Sequence, residues 1–214
     1  MKREEKNALT RQRILDAAVK EFSEKGYSGA SLNTVCAEKG ISKGIIYHYF
    51  KDKDELYLVC VQACFDELTQ YLEKQRSSFT GSLEEKLQSY FDKRFHFFAE
   101  NPLLLGLFAD AAFSPPAPLT VQIADCRKDF DEFSISILTD FLKSEPIRNG
   151  LTLSAIVEDF RDYIDYFNMK FAGSFGQAMP TEPALREHEE RCHRQLNMLL
   201  YGVLGDKHEN QSIQ

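Results

Sequence analysis

Apolar residues recur at helical spacing along nearly the whole chain, and no stretch alternates apolar with polar in the manner of a strand. Over about residues 10–25, Ile14, Leu15, Ala18, Val19 and Phe22 share one face, and Gly26 is the stop signal. Ser31 is placed to cap a short helix ending near Lys39. Gly40 and Ile41 then turn the chain, and Ser42 caps a third helix reaching about Tyr49. Asp52 and Glu55 form a cap pair for a long fourth helix in which Leu56, Cys60, Cys64, Leu68 and Leu72 repeat at turn spacing. A Ser-rich break over 76–82 precedes a helix over 83–99 that buries Leu87, Tyr90, Phe91, Phe95 and Phe98. Asn101 and Pro102 open an apolar helix to about Phe113, and the prolines of 114–118 predict a rigid loop without helix. A helix over 119–143, a turn over 145–150 and two long helices over about 151–175 and 183–204 complete the pattern. The expected fold is all-α, with about nine helices.

With 214 residues, 43% hydrophobic and 28% charged, the chain has the composition of a globular protein large enough to bury a core without staples. No apolar run approaches the ~18 residues of a membrane span, so no membrane association and a cytoplasmic location are expected. Five cysteines, an odd number with no CxxC pair, point to a reducing compartment. Cys60 and Cys64 stand one turn apart; a buried stripe is the simpler reading, a redox switch or thiophilic metal the other. The charge adds an asymmetry to this picture. Residues 1–53 carry 11 Lys and Arg against 7 Asp and Glu, whereas the remainder carries 15 against 26. A basic module on an acidic body suits a protein that meets phosphate at one end.

Residues 31–50 have the pattern of a helix-turn-helix. Two helices too short to stand alone need a shared core, which Leu32, Val35, Cys36, Ile41, Ile46 and Phe50 can supply. Lys43, Gly44, Tyr47 and His48 are left as a stripe on the second short helix. That stripe combines a cation, a residue with no side chain to block close approach and two aromatic hydrogen-bonders, a mixture suited to a major groove. Backbone N–H groups and hydroxyls at Ser31 and Ser42 can grip phosphates, and Lys51 and Lys53 can hold the backbone beyond the groove. A plain αα-hairpin with exposed charges is the alternative on pattern alone.

The first helix followed by GYSGASLNTVCAEKGISKGIIYHYFKDKDEL resembles the DNA-binding region of TetR-family (tetracycline-repressor-like) transcriptional regulators over roughly residues 10–58. The resemblance implies a DNA-binding domain over 1–53 and a ligand-binding and dimerisation domain over 54–214. It implies Ser31 and Ser42 at phosphates, Lys43, Gly44 and Ile45 at base edges, Tyr47 and His48 at phosphate or sugar, and Lys53 on the backbone. Ile45 stands where Thr is common and Lys39 where Ala is usual, which bears on the operator sequence. It also implies a homodimer paired through the last two helices, and hence a palindromic operator in double-stranded DNA with half-sites ~34–36 Å apart or a multiple. A small-molecule effector is expected among the aromatic residues, with Phe95, Phe98, Phe108, Phe113, Phe133, Tyr163 and Phe167 as candidates. Scarce cations in that region favour an apolar or cationic effector over a polyanion, or else mark an acidic surface of no ligand significance. The alternative is control by a protein partner through the same helical domain.

His188, Glu189, Cys192 and His193 cluster on the last helix, but one helix face supplies two ligands where zinc needs four, so a solvated or interface role is expected. His96 reads as a semi-buried, satisfied histidine. Neither a nucleophile elbow, a phosphate-cradling Gly-rich loop nor HExxH occurs, so no catalysis, metal or cofactor is expected.

Overall fold

The computed structural model describes residues 3–173 and 182–203, and these form nine α-helices with no strand among them. In chain order they are α1 (Arg3–Gly29), α2 (Leu32–Lys39), α3 (Lys43–Tyr49), α4 (Lys53–Gln75), α5 (Leu83–Glu100), α6 (Pro102–Phe113), α7 (Thr120–Leu142), α8 (Leu153–Gly173) and α9 (Glu182–Val203). Positions 174, 175 and 204, the expected outer ends of the last two helices, lie outside the described residues.

Three elements differ from expectation. Helix α1 starts at Arg3, well before Thr10, because residues 4–9 are exposed all round and leave periodicity nothing to register. Its dihedrals break at Gly26 (φ 63°, ψ 174°), the expected stop, before one further turn. Pro118 lies inside a 3-10 turn over Ala117–Leu119, since a proline in a first turn lacks only an N–H that has no helical partner anyway. In α5 the buried pair is Phe97 and Phe98, not Phe95 and Phe98. Phe97 packs on Tyr71 of α4 (ring centroids 5.3 Å apart), while the half-exposed Phe95 is covered by the Arg186 guanidinium of α9 at 4.1 Å.

Helix α4 is the central post. Leu56, Tyr57, Cys60, Val61, Cys64, Leu68 and Leu72 are completely buried against α1, α5, α6 and α7. Each such leucine contributes ~1.5–3 kcal/mol relative to exposure, so one apolar face accounts for the element's placement. Burial pushes the Cys60 thiol up to about 12 and raises that of Cys64 as well. Protonated and enclosed, neither thiol is poised for redox or metal chemistry, in keeping with the buried-stripe reading.

Helix α6 packs tightly on α1 at Gly106. A Cβ at Gly106 would lie 2.6 Å from the Ser23 carbonyl oxygen, so a side chain there forces the two helices apart. One turn further, the Asp110 carboxylate accepts from the Tyr57 hydroxyl (2.7 Å) and from the Tyr27 backbone N–H (2.9 Å), the latter beside the break in α1. A single buried acid thus ties α1, α4 and α6 together. No single described helix is long and apolar enough to cross a membrane.

Candidate nucleic-acid interface and ligand cavity

Helix α3 is short because both ends are fixed. The Ser42 hydroxyl accepts from the Ile45 N–H at 3.4 Å, and the chain leaves in an extended conformation at Phe50. Gly40, left-handed at φ 60°, caps α2 and turns the chain so that the Ile41 N–H reaches the Cys36 carbonyl at 2.9 Å. Ile46 (0% exposed) and Phe50 plug α3 into the core with Val35 and Ile41, while Arg11 of α1 lies over the outer side of the Phe50 ring at 5.3 Å. On the other face Lys43, Gly44, Ile45, Tyr47 (49% exposed) and His48 all point to solvent. The structure therefore presents as one surface the stripe that periodicity left over from the core.

The flanking residues are more engaged than the sequence suggests. Ser31 caps α2, its hydroxyl accepting from the Asn33 N–H. Its own N–H goes to the buried Glu21 carboxylate at 3.0 Å. Burial opposes the charge on Glu21, but hydrogen bonds from Ser31 and Lys25 outweigh it and hold the carboxyl below its usual range. An internal carboxylate thus already answers the Ser31 N–H at the α2 N-terminus. Lys53 is half-buried, its ammonium 4.6 Å above the Tyr27 ring. Burial lowers its pKa, with Asp54, Asp110 and Glu21 acting in the opposite direction. Lys39 and Lys51 are exposed; the Lys39 carbonyl accepts from Arg13 (2.7 Å), which braces α2 on α1.

Residues that sequence reasoning missed come from the polar start of α1. Asn7 accepts a hydrogen bond from the Tyr49 hydroxyl at 3.3 Å, which brings that segment beside the C-terminal end of α3. Lys6 and Arg11 are exposed on it. Their only sequence signal is the basic excess of the first residues.

A second feature is a cavity of about 410 Å³ among α4 to α9, within the ~300–1,000 Å³ usual for small-molecule sites. Of the aromatic residues nominated above, Phe108 lines it together with Phe65, Phe91, Phe130 and Phe160. The other six are placed elsewhere. Phe98 packs behind Phe108 at 4.9 Å, and Phe113 stands against Phe108 and His188 at 5.8 and 5.1 Å. Phe133 lies beneath Arg76 at 5.4 Å, Tyr163 stacks on Phe167, and Phe95 faces outward under Arg186. Periodicity identifies which aromatics turn inward but not which inward faces fail to meet.

His188 borders the cavity and is buried, contrary to a solvated or interface role, as is Cys192. Its ring is stacked on Phe171 and Phe167, with centroids at 4.0 and 4.7 Å. Among the described residues no group of three or more His, Cys, Asp and Glu is placed to hold a metal. His96, expected to be semi-buried, is exposed and pairs with Glu100 at 3.2 Å. Burial, reinforced by Arg94 and Arg191, pushes the His188 imidazole down to about 4. The unfolded chain then binds the proton more readily, so this site's stability is fully present above pH ~6.5 and is lost as pH falls through 4. The loss is on the order of 3 kcal/mol. Thermal unfolding is expected to show His188→Phe with a smaller drop in Tm between pH 7 and pH 4.5 than the parent; an equal drop would assign the acid sensitivity elsewhere.

Two short helices locked on a third, with one polar face left outward, define a helix-turn-helix protein. Residues 14–60 match the family model for bacterial regulatory proteins of the tetR family. That match spans 47 of the chain's 214 residues. It is 30% identical over 82 residues to the biofilm operon icaADBC HTH-type negative transcriptional regulator IcaR of Staphylococcus aureus; the match covers 38% of this chain and 44% of that protein's length. In fold it is similar to the transcriptional regulator FadR of Bacillus subtilis in complex with stearoyl-CoA, with a TM-score of 0.63 and 21% identity over 90% of this chain and 98% of the other. The fatty acid degradation regulator FadR of Bacillus halodurans gives a TM-score of 0.62 and 18% identity, covering 86% and 96%.

Proposed function

We propose that this chain is a one-component transcriptional repressor that binds a palindromic operator as a homodimer and is released by a small molecule. The observation that carries the reading is the division of α3 into a plugged inner face (Ile46, Phe50) and an outer face (Lys43, Gly44, Ile45, Tyr47, His48) open to a duplex. Residues 1–53 act as the DNA-binding head and 54–214 as the effector and dimerisation body. Repression follows the negative regulator IcaR, and a small-molecule effector follows the FadR complex with stearoyl-CoA. Dimerisation through α8 and α9 is supported by Tyr166, Met169, Met198 and Tyr201, large side chains all more than half exposed on those helices. An effector that alters the separation of the two α3 helices by a coupling of ~1–3 kcal/mol changes operator occupancy ~5–150-fold. The aromatic-lined cavity favours a small molecule over a protein partner as the controlling ligand.

Titration of the purified protein against DNA from its own promoter region tests this. The expected result is a preferred site well above sequence-independent binding; equal affinity for unrelated DNA contradicts it. Lys53→Ala is expected to weaken binding on every sequence alike and to reduce the slope of log affinity against log salt by about one. A changed sequence preference in that variant would contradict its assignment to the DNA backbone.

A further inference from the structure

Two adjacent residues on the outer face of α3 have no explanation in the fold. The first is Gly44, which lies inside the helix, where glycine is a weaker helix former than alanine. Its φ is not in the left-handed region, and a Cβ built on it would meet no atom within 4 Å. Neither backbone conformation nor internal packing therefore calls for glycine here, in contrast to Gly40 with its positive φ and Gly106 against Ser23. The second is Ile45. The other large aliphatic side chains of the helix-turn-helix, Leu32, Val35, Ile41 and Ile46, are buried or packed against the core. Ile45 is 42% exposed.

At about 3.6 residues per turn, Gly44 and His48 stand opposite the plug Ile46, with Ile45 on one flank and Tyr47 on the other. The strip of α3 farthest from the core thus begins with a residue that adds nothing to the backbone. The helix can come closer there to whatever it meets than any side chain would allow. Both ends of α3 are fixed, by the Ser42 hydroxyl on the Ile45 N–H and by the Tyr49 hydroxyl on Asn7, so the pair is presented at a set depth. A surface that reaches Ile45 must be apolar at that point, because a branched aliphatic group pressed on donors or acceptors strands them. The floor of the major groove displays ring nitrogens, carbonyl oxygens and amino groups, and one apolar group, the C5-methyl of thymine.

We infer that Ile45 selects thymine at one position of each operator half-site through its C5-methyl group, and that Gly44 provides the close approach this contact needs. The inference rests on the operator reading of α3 and adds which base is read and by what chemistry.

Uracil scanning of the site that the full-length protein prefers in its own promoter DNA tests it. Deoxyuridine replaces each thymidine in turn, in both half-sites together, which removes the methyl group and keeps the base pairing and every hydrogen-bonding group. At one thymine per half-site the exchange is expected to weaken binding about fourfold, hence roughly fifteenfold for the palindrome, the worth of one buried methyl group in each half. Ile45→Ala is expected to bind the thymine and uracil duplexes at that position equally, with a melting temperature close to the parent's. Ile45→Val, which keeps two methyl groups, is expected to retain the response. Gly44→Ala is expected to melt no lower than the parent and to bind the operator at least about tenfold more weakly, because its Cβ fills the space of the approach. Parental affinity in Gly44→Ala would overturn the close approach. A preferred site at which no thymine responds to loss of its methyl, or a response that Ile45→Ala leaves at its parental size, would overturn the thymine assignment while the operator reading stands. Equal binding to unrelated DNA would instead remove the operator reading itself, and the thymine assignment with it.

Discussion

Replacing Asp110 with alanine is expected to lower stability by ~3–5 kcal/mol, more than any surface change in the DNA-binding head. Asp110 is 8% exposed and its carboxylate is the acceptor for two donors. One is the hydroxyl of Tyr57, itself completely buried at the heart of α4; the other is the Tyr27 N–H beside the break in α1. Each stranded donor costs ~1–3 kcal/mol, and the lost side chain leaves a gap where α6 meets α1. Asp110→Asn separates hydrogen bonding from charge. Burial raises the Asp110 pKa against the pull of Tyr57, Tyr27 and Lys53, so ionisation there is opposed by its surroundings. A neutral amide oxygen that accepts the same bonds is therefore expected to retain most of the stability. Urea unfolding of the two variants checks the ordering; an alanine variant as stable as the parent would show that the three-helix tie has no energetic weight.

The second large effect is on binding rather than folding. Tyr47→Ala is expected to weaken operator binding at least about tenfold, the ~1–3 kcal/mol of a specific groove contact. Its unfolding midpoint is expected to stay close to that of the parent, because the side chain is half exposed and supports nothing beneath it. The adjacent Ile46→Ala is expected to behave in the opposite way, costing ~2–5 kcal/mol of stability as a cavity opens under α3. Adjacent residues with opposite phenotypes are the signature of a helix that is half plug and half probe. Fluorescence anisotropy with labelled promoter DNA, beside a thermal melt of each variant, reads both quantities. A Tyr47→Ala protein that retains full affinity would remove this residue from the interface.

What the sequence discloses depends on how local the physics is. The helix-turn-helix is legible because each of its parts is settled within a few residues: the caps at Ser31 and Ser42, the left-handed Gly40, and the plugs Ile41, Ile46 and Phe50. The family resemblance adds roles to positions that this pattern had already separated from the core. The start of α1 is illegible because a helix polar on every side has no period, and it is held at Asn7 by a tyrosine that lies 42 positions further along the chain. The Asp110 tie is hidden for a similar reason. An acid inside an apolar run reads as an interruption until Tyr27 and Tyr57, far away in sequence, are seen to converge on it. Cavity lining is the least legible feature. Phe113 and Phe167 turn inward as their spacing requires but meet His188 instead of empty space, and the Arg94 side chain extends in among the rings.

The central claim is that α3 reads a duplex twice in each assembly, and nuclease footprinting of the full-length protein on its own promoter DNA tests it most directly. The account predicts two protected half-sites related by a twofold axis, their centres ~34–36 Å or a multiple apart, that disappear together in Tyr47→Ala. Protection of a single unpaired site, or uniform protection that Tyr47→Ala leaves intact, would contradict it.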